Sequence, residues 1–315
     1  MTKFSSCSRE RSIFHQDWWL ECSTGRKISY INVEMGGRVV AVLPFLRKSR
    51  FGFSVIKMPK YTRTLGPYFD LPASKTFRRQ QNIRHVVDEF VSRLPKTHGI
   101  RFFIDPENES AFAFKLAGFK IYQDFTFRVP RHKPLDEVWR DCDQKTRNLI
   151  RTAQKKLTIR YEGTVEAFIA LSRREVRHNT HDFSLLRKLF AEAYKRGQAI
   201  ALYAYDGGNL VSAALLIWDD NVLYYWQSVR SVESRVAGKN MLLIWKAIEI
   251  AKKRNLIFDF DGFGSVKSAV MLASFGQKPV PQPEIVRETF IYKVERVINN
   301  FVRKYITKKS YKYDF

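Results

Sequence analysis

Hydrophobic and polar positions follow two rhythms along this chain, alternation typical of strands and a three-to-four spacing typical of helices. Residues 17–21 open a short helix. Over residues 28–46, β-type residues flank Gly36 and Gly37, a pair able to take the positive φ angles of a tight turn, which predicts a hairpin. A strand-rich region continues to about Asp70, and residues 79–93 then bring Ile83, Val86, Val87, Phe90 and Val91 onto one helical face. The apolar run 100–104 predicts a buried strand, and 112–116 a short helix ending near Gly118. Pro130 and Pro134 bracket the expected linker. Helices over 135–156 and 183–196 follow, then a second hairpin over 199–218 turning at Gly207 and Gly208. The next stretch reads as strand (222–226), tight loop, helix (241–253) and strand (257–261).

The two hairpins are related. Residues 33–40 superpose without gaps on 204–211, each around its Gly-Gly pair, and residues 113–119 superpose in the same way on 269–275. The second pair of segments is preceded in each case by a strand-like run ending in Asp105 or Asp259. Two short matches in the same order predict one domain duplicated. The expected division is 10–130, 135–290 and a C-terminal helix over 291–315. The copies differ between hairpin and final helix, where the second carries Arg235, Gly238 and Asn240 in the spacing Arg-x-x-Gly-x-Asn and the first carries residues 60–68 with no equivalent.

A glycine at a helix start leaves backbone N–H groups aimed outward, and the helix dipole adds partial positive charge. Such a loop can seat a pyrophosphate; it can equally be an ordinary crossover turn. Its spacing resembles the Arg/Gln-x-x-Gly-x-Gly/Ala loop of GNAT-superfamily acyltransferases, with Asn240 in place of the last small residue. Paired halves of which one keeps the donor loop are similar to the FemAB-like branch, as is the basic stretch Lys145, Arg147, Arg151 and Lys155. The resemblance implies an α/β fold of two GNAT-like halves, each a mixed β-sheet flanked by helices, and acyl transfer from acyl-CoA to an amine of a cell-envelope or polysaccharide precursor. It also implies no permanently bound cofactor. The donor would contact Trp226, Val229, Arg235, Gly238, Lys239 and Asn240. On this reading a bulky residue at 238 blocks the phosphate and leaves the fold intact.

Acyl transfer to an amine needs positioning and a few polar groups. Asp259 and Asp261 close the last strand, and alternation would place them on one face, where either could receive the amine proton or cap the following turn. Ser228 and Tyr225 are further catalytic candidates. Arg147 and Arg151, four apart, form either a phosphate clamp or a solvated face. Lys267, Tyr61 and Arg63 are candidate acceptor contacts. Lysine is absent from the position where peptidoglycan-bridge relatives commonly carry it before Phe275, and no long helical hairpin is inserted, which favours acyl-CoA over aminoacyl-tRNA. A tRNA-dependent bridge-type transferase and a catalytically silent nucleic-acid-binding protein stand as alternatives.

Composition narrows the classes. A chain of 315 residues with 45% hydrophobic content is long enough to bury a substantial core. Its three cysteines are widely spaced and no histidines cluster, so a reducing cytoplasm and no metal are expected. The longest apolar stretch, near 211–218, is far short of the roughly 20 residues that span a bilayer, and no apolar signal core is read near the N-terminus. A net charge of +24 calls for an anionic partner: CoA, a phosphorylated acceptor, tRNA or an acidic membrane face.

Val294, Val297, Ile298, Phe301, Val302, Tyr305 and Ile306 recur at helical spacing, with Arg296, Arg303, Lys304, Lys308, Lys309 and Lys312 on or beyond the other face. Two readings are open for this helix. It docks on the protein's own core, or it lies on the anionic inner face of the membrane.

Overall fold

Both Gly-Gly pairs turn their hairpins. Gly36 and Gly37 take φ of 59° and 73°, Gly207 and Gly208 of 53° and 92°, so the backbone reverses within two residues between Met35 and Arg38 and between Asp206 and Asn209. The computed structural model describes residues 12–25, 28–50, 52–176 and 181–305. Cys7, Arg9, Glu10 and Arg11, and at the other end Ile306, Lys308, Lys309 and Lys312, lie outside these, as do the side chains of Phe301, Val302, Arg303, Lys304 and Tyr305. The chain divides into unit 1, residues 1–124 and 281–315, and unit 2, residues 125–280.

Unit 1 contains α1 (Asp17–Thr24), β1 (Ser29–Met35), β2 (Arg38–Phe45), β3 (Arg47–Arg50), β4 (Phe53–Ile56), β5 (Tyr68–Phe69), α2 (Thr76–Arg93), β6 (Gly99–Phe103) and α3 (Ala111–Leu116). Strand β7 (Lys120–Val129) begins in unit 1 and ends in unit 2. Unit 2 continues with α4 (Leu135–Asp141), α5 (Gln144–Lys156), β8 (Thr158–Glu162), α6 (Glu166–Glu175), α7 (Phe183–Lys195), β9 (Ala199–Asp206), β10 (Asn209–Trp218), β11 (Val222–Arg230), α8 (Lys239–Lys253), β12 (Ile257–Asp259) and α9 (Val266–Ala273). Strand β13 (Pro279–Glu288) and α10 (Phe290–Tyr305) return the chain to unit 1.

The duplication is visible in the pairing. In unit 1, α2 joins the parallel pair β4 and β6; in unit 2, α8 joins the parallel pair β11 and β12. The strand that follows each small helix serves the other unit. After α3, β7 sets Val129 against Phe258 of β12, within unit 2; after α9, β13 sets Ile285 against Phe102 of β6, within unit 1. The units therefore do not follow the division 10–130, 135–290 and 291–315. A strand joins the partner its backbone hydrogen bonds select, whatever its place in the sequence. For the same reason the boundary falls inside β7 and not at the Pro130–Pro134 turn.

Each unit has its own core. In unit 1, α2 buries Ile83, Val86, Val87 and Phe90 against β1, β2 and β6 residues such as Val33, Leu43 and Ile100. In unit 2, β10 is buried from Val211 to Trp218, and α8 buries Leu242, Leu243, Ile244, Trp245, Ala247, Ile248 and Ala251. The single helix expected over 135–156 is two. The Asp143 carboxylate accepts the N–H groups of Lys145 and Thr146, so it caps α5 and ends the continuity with α4.

Ile285→Asp would place a charge in the unit 1 core although the residue follows unit 2 in sequence. Hydrogen exchange should lose protection in β6 and α2 and retain it in β9, β10 and β11. Equal loss in both units would contradict the strand exchange.

Candidate active site

The opening that could admit a donor begins where two strands part. β11 and β12 pair only through Val222, Leu223 and Tyr224 against Ile257, Phe258 and Asp259. Beyond Tyr224, β11 runs on to Arg230 against β10 alone, and its register slips by one residue at Tyr225–Trp226. A bulge there bends the strand and leaves its β12-facing edge without a strand partner. Trp226 and Val229 bury their side chains, so what they can offer a ligand is backbone; Ser228 is exposed.

Helix α8 starts at the end of the 231–238 loop. Its N-cap is Gly238, at φ 79°, no side chain covers the helix start, and the first turn holds no acid. The N–H groups of Lys239, Asn240 and Met241 have no acceptor within the helix. Gly238 is required by packing as well as by φ: a Cβ there would overlap the Leu149 carbonyl of α5, with the carbonyl carbon 2.7 Å away. A bulky residue at 238 therefore disturbs the fold, contrary to the expectation that it would spare it. Beside this contact lies a cleft of about 460 Å³ lined by Asp143, Gln144, Lys145, Asn148, Leu149 and Thr152.

The loop is braced from several sides. Glu175 of α6 accepts the Val232 N–H at 2.8 Å. Burial opposes charge on Glu175, yet that N–H and Arg174 hold its carboxyl below the ordinary value. Lys239 donates its Nζ to the carbonyls of Ser234 (2.9 Å) and Val236 (3.3 Å), tying the loop to the helix start, and burial together with Arg230 lowers its pKa. The Asn240 Oδ1 accepts the Tyr225 hydroxyl at 3.1 Å. Burial pushes the Tyr225 phenol far up, so it is a neutral hydrogen-bond donor at physiological pH. Arg235 is exposed.

The two aspartates are not equivalent and do not share a strand face. Asp259 is buried, and accepts the Thr126 hydroxyl (2.6 Å), the Arg128 Nε (2.7 Å) and the Asp261 N–H (2.8 Å). A carboxylate so engaged holds β12, β7 and the following turn together. Asp261 lies past the end of β12 at φ 59°, so strand alternation does not reach it; it is half-buried. Thr126, Arg128 and Glu175 were not singled out from sequence. Thr126 and Arg128 alternate with buried Phe127 and Val129, the one local hint of a polar pair facing inward.

The basic candidates turn to separate partners. Arg147 donates to the carbonyls of Arg140 (2.8 Å) and Cys142, closing the end of α4, while Arg151 lies 5.3 Å over the Trp139 ring and donates to Asn148. Lys267 is exposed in the first turn of α9, where Ser265 and Ser268 cap each other reciprocally. Tyr61 and Arg63 belong to unit 1, half-buried in the loop between β4 and β5, with Tyr61 at φ 61°. Burial raises the Cys142 thiol to about 11, which keeps it protonated and unreactive.

Asp259→Asn removes the carboxylate charge that buried Arg128 pairs with and should lower stability by about 3–5 kcal/mol, read by urea unfolding. Gly238→Ala should also destabilise measurably, by overlap with Leu149. A Gly238→Ala protein as stable as wild type would mean that α5 does not pack on the loop.

Residues 142–265 match the family model of the GNAT acetyltransferase domain. No curated protein matches the chain. Among solved structures, FemX has 13% identity and a TM-score of 0.69 over 90% of this chain and 94% of its own. The C-terminal domain of a protein assigned as a lysylphosphatidylglycerol synthetase from Agrobacterium fabrum has 11% identity and a TM-score of 0.53 over 88% of each chain. L-PGS from Bacillus licheniformis has 10% identity and a TM-score of 0.50 over 90% of each chain. At such identities the likeness is one of fold. The family match thus runs from the end of α4 to the N-cap of α9 within unit 2, and the chain as a whole shares its fold with FemX.

Proposed function

We propose that unit 2 transfers an acyl group from a coenzyme A thioester to an amine, and that the amine belongs to an anionic cell-envelope or polysaccharide precursor. The observation that carries this reading is the open edge of β11 beyond Tyr224, in the same β11–α8–β12 unit as the uncapped start of α8. The N–H groups of the first turn, with Arg235, would hold the donor diphosphate. Backbone N–H groups along 226–229 would receive the thioester carbonyl and the negative charge that develops on it. The amine nitrogen attacks the carbonyl carbon, a C–N bond forms as the C–S bond breaks, and the released thiolate takes a proton to leave as free CoA. Asp261 would accept the proton the amine loses, directly or through water. Ser228, exposed on β11, could hydrogen-bond the reacting group, while Tyr225 keeps Asn240 and the helix start in place. An exposed Lys267 suits an acceptor with negative charge.

The second reading, an aminoacyl-tRNA donor, draws support from the net charge of +24. The two are separated by a thermal-shift panel of CoA, acetyl-CoA, longer acyl-CoAs and charged tRNA. A true donor at 100 times its Kd stabilises by about 2.7 kcal/mol, and CoA compounds are expected to do so while tRNA does not. The opposite ranking overturns the CoA assignment. Stabilisation by tRNA with no turnover of any acyl donor would return the chain to the nucleic-acid-binding class.

Asp261→Asn keeps the shape of the turn. Turnover should fall about 10²–10⁴-fold with donor affinity little changed. An unchanged rate would remove Asp261 from the chemistry.

A further inference from the structure

We infer that α10 docks unit 1 onto an anionic lipid surface through a face that the protein leaves bare. Among the described residues, Tyr292 and Arg296 fasten the helix. Tyr292, 6% exposed, lays its ring on Gly99, where a Cβ would come within 2.7 Å of it, and packs 5.6 Å from the Phe53 ring. One turn on, Arg296 pairs with Glu288 of β13, Nε to Oε1 at 2.9 Å and Nη2 to Oε2 at 3.0 Å. At about 100° per residue, Tyr292 and Arg296 share one side, and Phe290, Ile291, Val294, Val297 and Ile298 fill a stripe about 120° wide on the opposite side. All five are exposed, Ile291 at 67%.

Core docking would require the reverse arrangement, with the apolar stripe turned inward. A row of five exposed aliphatic and aromatic side chains on one helix face marks an interaction surface, since scattered single residues would not align. Charge selects the occupant. Lys293 is exposed along the edge of the stripe, and the sequence that follows adds Arg303, Lys304, Lys308, Lys309 and Lys312 in a chain of net charge +24. Apolar face plus basic flank suits the boundary between acyl chains and anionic headgroups. No described helix is long and apolar enough to cross a membrane, so α10 lies on the surface and does not span it. A second copy would set these like charges together. This inference concerns unit 1 and stands independently of the acyl donor.

The test is co-sedimentation of the full chain with vesicles of phosphatidylglycerol and phosphatidylcholine, against pure phosphatidylcholine. A parallel sample carries Val294→Asp with Ile298→Asp, both at exposed positions, with its melting temperature checked against wild type. Wild type should pellet with the anionic vesicles and not the neutral ones, and the double variant should partition at least about tenfold more weakly. Absence of wild-type binding, or equal binding by the variant, overturns the inference. So does a wild-type dimer in sedimentation velocity that the double variant converts to monomer without vesicle binding, since the covering partner would then be a second copy.

Discussion

The active-site region of unit 2 depends on one buried carboxylate. Asp259 ends β12, and its two oxygens gather a hydroxyl and a guanidinium from β7 and the N–H of Asp261 from the turn that follows. A charge in that position is tolerable only because every lone pair it presents inward has a donor. The consequence is geometric. With the end of β12 fixed to β7, it does not follow β11 further, and the two strands separate beyond Tyr224. The Thr126 hydroxyl extends the arrangement by accepting the Gly262 N–H at 3.2 Å, which sets the turn bearing Asp261. Asp261 thus owes its position to the buried Asp259.

A second constraint comes from the other side of the opening. Gly238 lies against the backbone of α5, so the start of α8 is held by steric contact as well as by hydrogen bonds. Lys239 and Glu175 bond the loop, and the Asn240 Oδ1 accepts from Tyr225 of β11. Lys239 and Asn240, which sequence spacing suggests as ligand contacts, are thus engaged in holding the backbone still, and the first N–H groups of α8 keep no acceptor within the helix. Such preorganisation suits a reaction that relies on positioning.

Local chemistry was legible and long-range partnership was not. The Gly-Gly turns, the α2 core face and the strand–loop–helix of β11 and α8 each follow from short spacings, because turn sterics and helical periodicity act within a few residues. The division of 135–156 into two helices was readable in principle from Asp143, a strong N-cap residue. Nothing local assigns Asp259 to Thr126 and Arg128, more than a hundred residues away, or sends β13 to β6. Arg147 and Arg151 show the limit of face arguments. Spacing puts them side by side on α5, but a carbonyl at the end of α4 and the Trp139 ring draw the two guanidiniums apart.

The same elements differ between the two copies. Helix α2 of unit 1 also begins without a side-chain cap, so a bare helix start is not what distinguishes unit 2. The strands are. β4 stops at Ile56, the residue at which its pairing with β6 stops, and leaves no overhanging edge, whereas β11 continues to Arg230 after its pairing with β12 has ended. The chain between β4 and α2 is then consumed by unit 1 itself. Thr62 accepts the Trp19 indole N–H at 3.1 Å, Thr64 meets His15 at 3.2 Å, the Leu65 N–H donates to Phe103 at 2.9 Å, and β5 pairs with β2. That loop has become part of its own unit's core, which sets the 57–75 segment of unit 1 apart from the 231–238 loop of unit 2.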